Sequence, residues 1–182
     1  MIPRSLRQFN LTHYTLLVPL ATLLAVMQPA VAHESGPSMA ILGTLEEVQI
    51  LPEDVILEAR LDTGATSSSL NALNKQEFEK DGEDWIRFDI IDPEDEDRLI
   101  TLERPIERMV RIRRHSGDHD RRPVVRMDFC IGAQRIVADT SLVDRTNLTY
   151  QALVGRSHLA GHILVDSADE HLRRPDCPDN DQ

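Results

Sequence analysis

The 182-residue chain has two cysteines, Cys130 and Cys177, too few to specify a disulfide framework. Cys130 lies in an apolar stretch and Cys177 in a polar tail. An oxidising compartment would permit them to pair, but nothing in their spacing demands it, so they read as a buried thiol and an unrelated tail thiol. There is no His-Glu-x-x-His and no Gly-rich loop ending in Gly-Lys-Ser/Thr, which removes the signatures of the zinc-peptidase helix and the phosphate-cradling loop. His115 with His119 and His158 with His162 have a four-residue spacing that a helix could turn into paired ligands. Neither pair has an evident third ligand, so they read as exposed or hydrogen-bonded histidines, with no metal and no cofactor expected. Internal repeats are absent, and the one low-complexity stretch is an acidic run at 92–97.

Long apolar runs are also missing. The N-terminal one, at 16–27, has 12 residues and is interrupted by Pro19, short of the ~20 that a membrane-spanning helix needs. With Arg4 and Arg7 ahead of it and Ala30-Val31-Ala32 behind it, the segment reads as a secretory signal peptide cleaved after Ala32. The expected product is periplasmic or secreted, with no stable membrane anchor after cleavage. Residues 33–42 then form a flexible N-terminal segment, 43–166 one domain, and 167–182 a polar C-terminal tail.

Positive charge is scarce. Without Arg4 and Arg7 the 20 Lys and Arg fall to 18, against 31 Asp and Glu, a formal charge of −13 for the mature chain. Nucleic acid and anionic membrane surfaces are poor partners for such a surface.

What remains is punctuated like a β protein. Residues 48–51 and 55–61 are apolar and partly alternating, and Pro52-Glu53-Asp54 between them has turn composition, which predicts a hairpin. Residues 85–90 alternate as a strand that the acidic run ends as a solvated loop. Residues 124–131, 135–138 and 150–154 are further strand candidates, with Ile131-Gly132-Ala133-Gln134 as a hairpin turn. Short helices are expected at 71–79 and 157–162.

The chemistry concentrates at Leu61-Asp62-Thr63-Gly64-Ala65-Thr66-Ser67, where an apolar strand runs into a carboxylate, a hydroxyl and a glycine. Gly64 allows a close approach of backbone or substrate, and the Thr63 hydroxyl can brace the loop. Alone, Asp-Thr-Gly is a weak signal, because turns use these residues for local reasons. A second element strengthens it: Ala152-Leu153-Val154-Gly155-Arg156, two branched apolar residues, a glycine and an arginine.

Together Asp62-Thr63-Gly64-Ala65 and Leu153-Val154-Gly155-Arg156 resemble the paired motifs of retropepsin-like aspartic peptidases. A closer resemblance is to the bacterial retropepsin-like family often labelled ATP-dependent zinc proteases, carried also by Ser67, Trp85-Ile86-Arg87-Phe88-Asp89, Arg122-Pro123-Val124 and Leu142-Val143-Asp144-Arg145. The resemblance covers about 43–166. It implies an all-β, closed acid-protease barrel with one or two short helices and a homodimer of single-lobe subunits, since one chain supplies one of the two carboxylates such enzymes need. Asp62, Thr63 and Gly64 would be catalytic. Ala65 and Val154 would line the substrate cleft, and Gly155 and Arg156 would support the site, Arg156 by bonding carbonyls or Asp144.

A flap over the cleft is assigned to 110–123, with Gly117 at its tip and Arg113 and Arg114 toward the substrate. From Arg104 to Arg126 there are eight arginines against Glu107, Asp118 and Asp120. This basic stretch reads first as a partner of the acidic run at 92–97, and alternatively as a recruiter of carboxylate-bearing substrates. The second possibility fits the resemblance, because members of that family occur beside ATP-grasp peptide ligases that add glutamate. The functional expectation is an exported aspartic endopeptidase acting on peptides or proteins. The alternatives are an inactive peptide-binding module of the same fold and, on the weakest grounds, a zinc-dependent hydrolase.

Overall fold

The computed structural model describes residues 38–113 and 119–178, without the side chains of Arg113 and His119. The expected signal peptide, Arg114, His115 and Gly117 lie outside the described residues.

The first hairpin forms where the alternation predicts it. β2 (Leu45–Leu51) pairs antiparallel with β3 (Val55–Leu61), and β3 buries Val55, Leu57, Ala59 and Leu61 while Ile56, Glu58 and Arg60 face outward, the period-2 pattern of a half-buried strand. Asp54, in the turn, takes a positive φ of 59°, a conformation that Asp tolerates better than most residues. β4 (Ser68–Asn71) follows the motif loop. Further along come β8 (His119–Ile131), β9 (Gln134–Val143) and β10 (Ala152–Val154). β8 and β9 turn through Gly132 at φ 57°.

Six strands close a ring in the order β2, β3, β10, β4, β9, β8 and back to β2. Closure works because β8 changes partner along one edge: its first half, through Val125, pairs with β7 (Asp95–Arg113), and 128–131 pair with β2. The other edge pairs with β9 from Val124 to Ile131. Leu42, Val48, Ile50, Leu57, Leu70, Met127, Phe129, Leu142 and Val154 lie in the buried core. β5 (Leu73–Lys80), β6 (Glu83–Asp92) and β7 continue the sheet beyond the ring as an antiparallel extension.

Two elements differ from expectation. Residues 71–79 are not helical: they end β4 and form most of β5, whose ladder to β6 sets Phe78 opposite Trp85 with ring centroids 6.5 Å apart. A mixed polar segment has little intrinsic preference, and the neighbouring edge decides it. The acidic run is solvated as expected over 93–97, but it is a tight turn leading into β7 and its first residue is buried. Asp92 and Asp95 pair across a tight turn between β6 and β7, and the Asp92 side chain is 3% exposed, bonded to Arg98 and the Glu94 amide. The expected helix at 157–162 is the single four-residue turn α1 (Arg156–Leu159).

The ends of the domain are tied down. β1 (Ala40–Leu42), within the segment read as flexible, pairs parallel with β11 (Ile163–Val165). The tail then crosses Glu46, a fully buried carboxylate that accepts the amides of Gly43, Leu172 and Arg173. It ends in a Cys130–Cys177 disulfide. The reading of two unrelated thiols is therefore corrected: the pairing depends on the tail folding back to the β8–β9 turn, where Asp176 N–H donates to the Gly132 carbonyl, and sequence spacing carries no trace of that path.

Candidate active site

β3 and β10 run parallel, with Leu61 beside Val154. At their ends the Asp62 amide donates to the Val154 carbonyl at 2.8 Å, so the motif loop begins where both apolar strands stop. Inside the loop Asp62 Oδ1 accepts the Gly64 amide at 2.8 Å and the Ala65 amide at 3.3 Å. These amides fix the carboxyl plane, and among the described residues no hydrogen bond falls on Oδ2. Asp62 is half-buried, and Thr63 and Gly64 are exposed beside it.

The second motif stitches the loop from below. The Arg156 amide donates to the Ala65 carbonyl at 3.0 Å, and the Ser157 amide to the Thr66 carbonyl at 3.1 Å. The Arg156 guanidinium reaches back over the loop, with Nη1 donating to the carbonyls of Thr63 and Gly64 at 2.8 and 2.9 Å and Nη2 to Thr66 Oγ1 at 2.9 Å. Of the two partners expected for Arg156, the carbonyls take it, while Asp144 accepts from Thr146. Gly155 is required by proximity, since a Cβ there would lie 2.6 Å from the Ser67 carbonyl oxygen.

Val154 departs from its expected place in a substrate cleft. Its side chain is fully buried in the core, because alternation along β10 turns Ala152 and Val154 inward and Leu153 to the other face. Its contribution to the site is the backbone carbonyl that holds Asp62, and it does not line a cleft.

The β7–β8 ladder continues to Arg113 opposite His119, so the stretch assigned to a flap is a hairpin up to the residues outside the description. Among the described residues, none of the arginines from 104 to 126 pairs with the acidic run. Arg104 pairs with Glu53, Arg108 and Arg126 with Asp139, Arg121 with Glu77, and Arg122 with Asp120, because the antiparallel ladders bring those carboxylates alongside. A cavity of about 710 Å³ between β1, the β8–β9 turn and the tail is lined by Met39, Ile41, Gly132, Leu172 and Arg173 and contains no expected site residue. Asp62 instead stands on an open face. Among the described residues no group of three or more His, Cys, Asp and Glu converges as a metal site, and no helix is long and apolar enough to cross a membrane.

Two residues of the site were not read as part of it in sequence: Ser68, and His158, which was weighed only with His162 as a ligand pair. Ser68 and His158 are both fully buried, joined Oγ to Nδ1 at 2.7 Å, directly behind Gly155. A hydroxyl run after Asp62 and a histidine after Arg156 are legible as residues, but only the packing of α1 against β4 and β9 makes them neighbours.

Comparison with known proteins agrees with this geometry. Residues 41–176 match the RimB-like family, described as retropepsin-like aspartic endopeptidase RimB. A protein of Parasynechococcus marenigrum named probable alpha-L-glutamate ligase is 32% identical over 117 residues, 63% of this chain and 25% of that protein. A protein of the same name from Desulfotalea psychrophila is 30% identical over 62% of this chain and 24% of its own length. The chain thus spans about a quarter of the length of these curated relatives. The crystal structure of a protein of unknown function from Legionella pneumophila superposes with a TM-score of 0.65 at 29% identity, covering 74% of this chain and 98% of that one. With its closed six-stranded barrel and its Asp62 loop seated on the Val154–Ser157 turn, the chain belongs to the RimB-like family of retropepsin-like proteins.

Proposed function

We propose that the protein is an exported aspartic endopeptidase that works as a homodimer, each subunit contributing Asp62 to one catalytic pair, with a preference for acidic or glutamate-containing peptides. The observation that carries this reading is the Asp62 carboxyl itself, oriented through Oδ1 by two backbone amides and standing on an open face with one such group per chain. A second copy brings the second carboxylate. Two like charges in contact share one proton.

The ionised carboxylate takes a proton from a water held between the two, and the water oxygen bonds to the scissile carbonyl carbon. The protonated carboxyl donates to the carbonyl oxygen. Collapse of the resulting gem-diol breaks the C–N bond as a proton passes to the leaving nitrogen, releasing a carboxylic acid and an amine. Thr63 and Gly64, exposed beside Asp62, make the contact between the two loops.

Preference for acidic peptides is supported by the exposed Arg111 on the basic β7–β8 hairpin, where Arg113 and Arg114 follow, and by the glutamate ligases whose sequence this chain matches in part. Export is supported by the signal-peptide pattern of 1–32 and by the Cys130–Cys177 disulfide, a bond that persists in oxidising compartments.

The test is cleavage of a mixed peptide library that includes glutamate-rich members. Activity that is lost in Asp62→Asn, survives EDTA and falls faster than linearly on dilution is the expected outcome. Activity indifferent to Asp62→Asn, or a well-folded dimer that cleaves nothing, defeats the proposal.

A further inference from the structure

Behind the Asp62 loop lies a closed set of hydrogen bonds whose proton positions can be assigned by counting donors. His158 Nε2 faces the Met127 carbonyl at 3.3 Å. A carbonyl only accepts, so Nε2 carries the hydrogen and, in the neutral ring, Nδ1 is a bare acceptor. Nδ1 faces Ser68 Oγ at 2.7 Å, so the Ser68 hydroxyl donates to it. Ser157 Oγ donates to the Asp139 carbonyl at 3.1 Å and accepts the Ser68 amide at 3.1 Å. Its contact with Ser68 Oγ at 3.3 Å therefore needs no proton. With its own proton committed to the imidazole, Ser68 Oγ presents lone pairs to the Gly155 amide, which donates to it at 2.9 Å.

The surroundings keep the ring neutral. His158 is fully buried and stacked on Phe129 with centroids 4.6 Å apart. Burial pushes its pKa down to about 4, and the charged groups around it are Arg126 and Asp128 on β8 and Asp139 on β9.

We propose that Ser68 and His158 are positioning residues for Asp62: the imidazole fixes the direction of the Ser68 hydroxyl, which holds the Gly155 amide and so seats the Val154–Ser157 turn against the Asp62–Thr66 loop. The chain of contact is short. Gly155 abuts Ser67, Val154 accepts from Asp62, and Arg156 and Ser157 donate to Ala65 and Thr66. Neither positioning residue touches the reacting atoms. Their effect falls on kcat through the placement of Asp62, and leaves KM nearly unchanged.

The inference rests on the peptidase reading for its kinetic arm only. Ser68→Ala, which removes the acceptor and little volume, lowers kcat on the order of tenfold to a hundredfold, as small misplacements of catalytic groups do, with KM within about twofold. His158→Leu does the same, and His158→Asn, which keeps an acceptor where Nδ1 lies, recovers most of the loss in variants shown by circular dichroism to be folded. An unchanged kcat in folded Ser68→Ala overturns the proposal. The second arm needs no activity: nitrogen-15 NMR of the imidazole and hydrogen exchange of the Gly155 and Asp62 amides. A hydrogen on Nε2, with amides protected in the wild type and exchanging at least tenfold faster in Ser68→Ala, supports the assignment even if no peptide is cleaved. A hydrogen on Nδ1, or exchange indifferent to Ser68→Ala, overturns it.

Discussion

Arg156 spans the loop that Asp62 opens: one guanidinium nitrogen holds the carbonyls of both Thr63 and Gly64, and the other holds the Thr66 hydroxyl. These bonds fix the backbone on either side of the amide that orients Asp62 Oδ1. An ammonium is a compact point charge and cannot match a planar fork to three acceptors. Arg156→Lys is therefore expected to leave thermal stability within about 1 kcal/mol, as for other exposed charged contacts, while lowering peptidase kcat about tenfold. Equal kcat in the two proteins would show that the guanidinium does not set the loop.

Gly155 tests the same seat by crowding it. A methyl at this position would lie 2.6 Å from the Ser67 carbonyl oxygen and 2.7 Å from its carbon, and both are backbone atoms that cannot rotate away. Gly155→Ala should cost about 1–3 kcal/mol, the range for overpacking a filled interior, and should sharply reduce activity. Chemical unfolding reads the first and peptide cleavage the second. A variant as stable and active as the wild type would mean that the two motifs can separate without consequence.

The tail offers a third test, because it is held by the Cys130–Cys177 disulfide and by the buried Glu46. The bond joins residues 47 apart in sequence, and closing such a loop stabilises by about 2–4 kcal/mol. Cys177→Ser, or reduction under native conditions, should lower the unfolding free energy by that amount and open residues 171–178 to proteolysis. The barrel itself should survive, since its six strands close without the tail. A tail that stays protease-resistant after reduction would assign the holding to Glu46 alone.

Local patterns made much of this fold legible. The alternation of 55–61, the Pro52-Glu53-Asp54 turn and the glycine at 132 each specify their own geometry, and the two motif segments were readable as partners because their resemblance to known pairs is specific. Residues 71–79 were not legible, since their strand exists through the ladder to β6. The same holds for Asp92, buried by a turn only two residues long, and for the disulfide, which depends on where the tail runs. Val154 illustrates a subtler limit. Its motif placed it near the site, but the alternation of β10 turns its side chain into the core, and only its carbonyl reaches Asp62.

His158 gives the fold a specific dependence on pH. Its pKa is lowered by burial from 6.5 to about 4, so between those values the unfolded chain binds a proton that the folded chain refuses. The stabilisation is fully present above about pH 6.5, declines as the pH falls, and is lost by about pH 4. At 1.36 kcal/mol per unit its size is about 3 kcal/mol. Two carboxyls are also lowered but titrate below this window: Asp92, held below its ordinary 3.8 by the Glu94 amide and Arg98, and Asp144, held below it by the Thr146 hydroxyl and amide. They withdraw their contributions only as the pH falls below about 4. His158→Phe keeps a ring against Phe129 and removes the titration. Urea unfolding at pH 7, 5.5 and 4 should show the wild type losing about 3 kcal/mol more than this variant over the interval. Parallel pH profiles for the two proteins would place His158 in contact with water and remove the basis for its neutral ring.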